Sequence, residues 1–201
     1  MMYAGHAGFF DALGLPWGRG IGEADTSCTF LPLTRRKIGD LFADQPRFRA
    51  AGDIIQEDAE GLAAILAQTR EGVLFDTLSY AIREIIRNVV EHSEADEFLI
   101  SAQCWVATGS AEIAIADPGI GIAAGLSSNG KYNPKSDAEA LRLAIKPGVS
   151  GVAIGRNSDD VWANSGDGLF MARGLADGKQ GFTLASGTAA LRASEVAASI
   201  R

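Results

Sequence analysis

The chain has 201 residues, 47% of them apolar, and a formal net charge of −7. That length holds one well-packed α/β domain, or an ordinary domain behind a small accessory region, and excludes two full domains. The negative balance argues against a nucleic-acid partner, because phosphate contacts need clustered Lys and Arg. Cys28 and Cys104 stand apart from each other and from any histidine at a metal-ligand spacing, which sets aside zinc and a disulfide framework. With no leader pattern and no apolar run long enough to span a bilayer, the sequence reads as soluble and cytoplasmic, without membrane insertion.

Residues 1 to about 50 are broken by Gly14, Pro16, Gly18, Gly20, Gly22 and Pro32 and read as short elements and loops. Phe9, Phe10, Trp17 and Phe30 are expected to pack on the rest of the protein, although a dimer or partner contact is the other reading. The basic run Arg35-Arg36-Lys37 reads as a solvated surface. Ile54, Ile55, Leu62, Ala63, Ile65 and Leu66 recur at helical spacing up to Gln68, and Leu74, Phe75, Leu78, Ile82, Ile85, Ile86 and Val89 form the apolar stripe of a second helix. Phe98 to Val106 and Ile113 to Ile115 alternate as two strands joined by a hairpin turn at Thr108-Gly109-Ser110.

Residues 118 to 135 read as loop. Ser136 with Glu139 offers a capping box for a short helix through Ala144, stopped by Pro147-Gly148. A glycine-rich, polar connection leads to Gly166, followed by a helix from Gly168 to Ala176. Strands near Phe182 to Ser186 and Ala189 to Arg192 complete the chain.

Three segments could carry chemistry. On the second helix Glu84, Asn88 and His92 fall one turn apart along the edge of the apolar stripe. A carboxamide there suits a magnesium shell shared with phosphates, and a carboxylate one turn away suits orientation or deprotonation of a nucleophile. Taken alone the pair reads as an ordinary polar edge. Arg83 and Arg87 fall nearly opposite, and Arg87 with Glu91 reads as an exposed ion pair. Asp117-Pro118-Gly119-Ile120-Gly121 follows a strand end. Its carboxylate can accept from an exocyclic amine, and its glycines let a flat base approach the backbone; the same pattern also marks ordinary tight turns. Gly166-Asp167-Gly168-Leu169 opens a helix whose free N–H groups could hold phosphate, or it is simply a glycine-rich helix start. Neither a P-loop nor a G-x-G-x-x-G pattern occurs.

In this order, the segments Glu84 to Asn88, Asp117 to Gly121 and Gly166 to Leu169 resemble the N box and two glycine boxes of the GHKL ATPase superfamily, which includes gyrase, histidine kinases, anti-sigma serine kinases and the MutL proteins. The resemblance covers residues from about 74 to 190. It implies an α+β, two-layer α/β sandwich (the Bergerat ATP-binding fold), with helices on one face of a mixed, mostly antiparallel sheet. Residues 1–70 would form an accessory region and residues 71–201 the ATP-binding domain.

By the same resemblance ATP and Mg²⁺ are the ligands. Asn88 holds the metal, Glu84 is the general base, and Asp117 accepts from adenine. Gly119, Gly121, Gly166, Gly168 and Leu169 line the nucleotide, and the lid lies within residues 123 to 165. Gly187-Thr188 resembles the closing strand region of the kinases, which adds Thr188 to the nucleotide set. Glu91 stands where histidine kinases commonly carry a lysine. His6 and His92 give no phosphoacceptor helix, and the transducer domain of gyrase-like and MutL-like proteins has no room. The resemblance thus implies a small kinase acting on Ser or Thr of a regulatory protein partner such as a STAS-like one, or a slow ATPase. A nucleotide-gated protein-binding module is the alternative, and a homodimer stays open.

Overall fold

The computed structural model describes residues 2–41, 51–128, 130–149, 168–174, 181–193 and 199–200. It has a mixed α/β architecture of small antiparallel sheets with flanking helices. The chain divides into two units, Met1–Ile86 with Ala95–Pro118, and Arg87–Glu94 with Gly119–Arg201. No helix among the described residues is long and apolar enough to cross a membrane.

The first unit begins with two short helices, α1 (Met2–His6) and α2 (Phe9–Ala12), and the strand β1 (Phe30–Lys37). Helices α3 (Ala51–Ala67) and α4 (Val73–His92) follow, the latter running on into the second unit, and then strands β2 (Glu97–Trp105) and β3 (Ser110–Ala116). The sheet order is β1-β2-β3, antiparallel throughout. On β2 the side chains of Phe98, Ile100, Ala102 and Cys104 are buried and their neighbours less so, the period-2 signature of a strand with one covered face. Helix α3 packs on β2 and β3 and turns Ile55, Ala59, Leu62 and Ala63 into the core. Both helices and both strands of the hairpin lie where the apolar periodicity predicts them.

The strand β1 was not foreseen by local pattern. Pro32 has no N–H to give a ladder, and the pairing with β2 slips between Leu31 and Thr34, so nothing in the local sequence announces eight residues of strand. At that slip the Leu33 N–H donates to the Ala7 carbonyl at 2.9 Å, and the Gly22 N–H donates to the Leu33 carbonyl at 2.9 Å. The basic run lies on β1 and is paired: Arg35 with Glu97 and Arg36 with Asp58, both at 2.8 Å. The aromatic expectation needs correcting. Phe30 is buried, but Phe9 and Trp17 are exposed, stacking edge-on with Phe10 between them.

The second unit holds α5 (Gly121–Ser127), α6 (Asp137–Ala144), α7 (Gly168–Gly174) and the strands β4 (Phe182–Ser186), β5 (Ala189–Ala193) and β6 (Ser199–Ile200), ordered β4-β5-β6. Helix α5 replaces part of the expected loop at 118 to 135. Its burial of Leu126 against Ala140 and Ala144 of α6 supplies what the glycine-rich local sequence withholds. The capping position of α6 is as expected: the Ser136 hydroxyl accepts from the Glu139 N–H at 3.2 Å, while the Glu139 carboxylate reaches back to the Lys135 N–H at 2.7 Å. Leu141 and Ile145 pack with Ala189 and Leu191 of β5.

Because Phe98 and Leu141 are fully buried, Phe98→Ala should cost about 3–5 kcal/mol and Leu141→Ala about 2–5 kcal/mol by urea denaturation. Losses below about 1 kcal/mol would contradict the packing of the respective unit.

Candidate functional site

Glu84 is only 2% exposed, and its Oε1 accepts from the neighbouring Arg83, at 3.0 Å from Nη2 and 3.3 Å from Nε. Arg83 also donates to Gln56 Oε1 at 3.4 Å and lies 4.9 Å above the Tyr80 ring. Gln56 in turn donates to Glu60 at 2.7 Å and Ser79 at 3.4 Å. A polar network thus joins α3 and α4 around the predicted base. The helical wheel had set Arg83 nearly opposite; its long side chain instead folds back across one residue to reach Glu84.

Asn88, one turn on, is half-buried and engaged. Arg87 is not an exposed partner of Glu91. The pair exists, Nε to Oε1 at 3.2 Å, but the arginine side chain is buried, so the bond satisfies a desolvated cation rather than decorating a surface. His92 lies 3.9 Å from the other Glu91 oxygen.

Asp117 immediately follows β3 and is exposed. Beyond it, the Ile120 N–H donates to the Ser93 carbonyl at 2.8 Å, which fastens the glycine turn to the chain just past α4. Gly121 has φ of +76°, and a Cβ there would stand 2.9 Å from the Ser186 hydroxyl. That hydroxyl accepts from the Ile122 N–H at 2.9 Å and so completes the first turn of α5 from a distant strand. Glycine at this position is required by the backbone and by Ser186.

Gly168 is buried at the start of α7, and Leu169 packs with Ile122 on the cluster of Leu126, Ala140 and Ala144. Gly166 lies outside the described residues. Thr188 is committed elsewhere in the second unit, its N–H and hydroxyl both donating to Asp137 Oδ2 at 2.8 Å. Gly187 takes a φ of +57°, and a Cβ there would collide with the same carboxylate. Asp137 and Ser186 are the positioning residues that sequence reasoning missed. Their partners lie some fifty residues or more away, and no local pattern marks them.

Asn88, Gly119, Gly121, Gly168, Leu169 and Thr188 therefore belong to one unit, while Glu84 and Asp117 belong to the other. A cleft of about 470 Å³ in the first unit, lined from β1 and α3, includes none of them. Among the described residues no group of three His, Cys, Asp or Glu could hold a metal ion; a magnesium shell completed by phosphate and water needs only a hard oxygen such as the Asn88 carboxamide. No protein-family model, no curated protein and no solved structure matches the chain.

The Asp137 carboxyl is held below its ordinary value of 3.8, first by the Thr188 N–H and then by its hydroxyl. A depressed carboxylate stabilises the fold fully above the unfolded value of about 3.9 and ceases to do so as the pH falls through the lower folded value. Asp137→Asn should therefore lower the thermal midpoint near neutrality, with the gap to the wild type closing between about pH 5 and pH 2. A gap independent of pH would contradict the ionised pairing.

Proposed function

We propose that this chain is a GHKL-type ATPase-fold protein that binds ATP·Mg²⁺ and passes the γ-phosphoryl group to a Ser or Thr hydroxyl on a regulatory protein partner. One observation carries the reading. Asn88, Gly119 to Gly121 and Gly168 to Leu169, far apart in sequence, share the second unit, where the Ile120–Ser93 bond joins the glycine turn to the chain just past α4 and Ile122 and Leu169 pack on one hydrophobic cluster. Helices beside small antiparallel sheets agree with the coarse plan of a Bergerat fold.

In this reading the Asp117 carboxylate accepts from the adenine amine, with Gly119 and Gly121 beside the base. Gly168, with Gly166 before it, holds phosphate. The Asn88 carboxamide oxygen would hold Mg²⁺, which supplies charge neutralisation when bound. Glu84 takes the proton of the attacking hydroxyl as its oxygen bonds the γ-phosphorus and the bond to the bridging oxygen breaks, releasing ADP. A nucleotide-gated protein-binding module is the second reading, favoured by one observation: Glu84 is buried and bonded to Arg83, and a base must be released from that bond to act.

Calorimetric titration of ATP tests the binding that both readings share, and turnover of γ-labelled ATP separates them. Asn88→Ala should weaken ATP about 10- to 100-fold in the presence of Mg²⁺ and much less in its absence. Glu84→Gln should retain ATP binding and abolish transfer or hydrolysis of γ-labelled phosphate; turnover at wild-type rate would remove Glu84 from the role of base, and no turnover in the wild type would leave the binding module. Asp117→Asn should weaken ATP far more than GTP, and equal losses would remove Asp117 from the adenine site.

A further inference from the structure

The cleft of about 470 Å³ in the first unit falls within the size of small-molecule sites. Its lining is apolar along Leu31, Leu62, Ile65 and Ile100. Gly61 adds to the opening. It sits in the interior of α3, where glycine is disfavoured against alanine, yet a Cβ there would meet no atom within 4 Å. Among the described residues no packing demands this glycine; what its absent side chain preserves is open space beside the helix backbone.

One end of the cleft is pinned by Gln68. This residue adopts a φ of +55°, uncommon for a side chain that is not glycine, and its Nε2 donates to the Ile65 carbonyl at 2.6 Å and the Cys28 carbonyl at 3.0 Å. The end of α3 is thereby tied to the segment before β1, and the wall is fixed in advance of any ligand.

The charges are unequal in availability. Asp58 is bonded to Arg36 Nη2 at 2.8 Å, and Glu57 is likewise engaged. Burial raises the Asp58 carboxyl above its ordinary value against the opposing pull of Arg36. Among the described residues Arg70 makes no hydrogen bond or ion pair, and Arg36 keeps a buried Nε with no hydrogen-bond partner. What remains on offer is guanidinium, whose planar donors match a carboxylate.

We propose that this cleft binds a small monocarboxylate with an apolar body, the body against Leu31, Leu62 and Ile65 and the carboxylate toward Arg70 and Arg36. The apolar lining disfavours a fully hydrated anion such as inorganic phosphate. The site shares no residue with the proposed nucleotide machinery.

The chain carries its own reporter. Cys28 is exposed and lines the cleft, whereas Cys104 is buried and serves as an internal reference. The rate of Cys28 alkylation by iodoacetamide, read by peptide mass, is measured on the full chain with 4-phenylbutyrate and with the uncharged 4-phenylbutan-1-ol. The carboxylate should slow Cys28 saturably, about fivefold at concentrations of about 1–10 mM, and the alcohol much less. Arg70→Gln should erase the difference between the two. Gly61→Leu should slow Cys28 by itself and remove the carboxylate effect. Should Gly61→Leu fail to fold by circular dichroism, the exposed Arg70→Gln variant decides alone. An unchanged Cys28 rate, equal protection by acid and alcohol, or a parallel change at Cys104 each overturns the proposal.

Discussion

Strand β2 is hydrogen-bonded along both edges, to β1 at one side and β3 at the other, so its register fixes every backbone position in the first sheet. The alternation of Phe98, Ile100, Ala102 and Cys104 gives that register its energetic weight, since a slip of one residue would expose all four. Asp117 inherits its place from this constraint, because β3 ends one residue before it in a ladder set by β2. The cleft inherits its own, since Ile100 of β2 lines it together with side chains of β1 and α3.

Helix α4 contributes a different kind of constraint. Its buried set includes Glu84 and Arg87 as well as Ile82 and Ile86. Charged groups out of water are tolerated only with partners at hand, and the helix provides them from its own chain: Arg83 for Glu84, Glu91 for Arg87. The bond from Gln56 of α3 to Ser79 extends the same compensation sideways. A polar edge of this sort is costly to keep for stability alone.

The elements that were legible in the sequence are those whose stability is local. Helices α3 and α4 follow from apolar spacing, the β2–β3 hairpin from alternation around a short turn, and α6 from Ser136 and Glu139, while β4 and β5 lie near the two strands expected at the end of the chain. Where the determining contact is remote, the pattern is silent. Strand β1 exists by pairing with residues beyond two intervening helices, and α5 is completed by a hydroxyl on β4. In the candidate site, the sequence indicated which residues share a helix edge or a glycine turn, but not that Arg83 folds onto Glu84 or that Asp137 engages Thr188. Side-chain reach and long-range partners do not register in a periodicity. The cleft was invisible for the same reason, being a shape between elements rather than a motif within one.

The two backbone bonds from Leu33 to Ala7 and Gly22 have a consequence for self-association. An outer strand presents unpaired donors and acceptors that can template another chain, and a sheet of three strands has two such borders. On the β1 border, the opening segment of the polypeptide occupies the Leu33 groups, Pro32 withholds an N–H, and Arg35, Arg36 and Lys37 add charge. The glycine-rich opening thus acts as a selvedge, finishing one side of the sheet against unravelling into intermolecular β-structure.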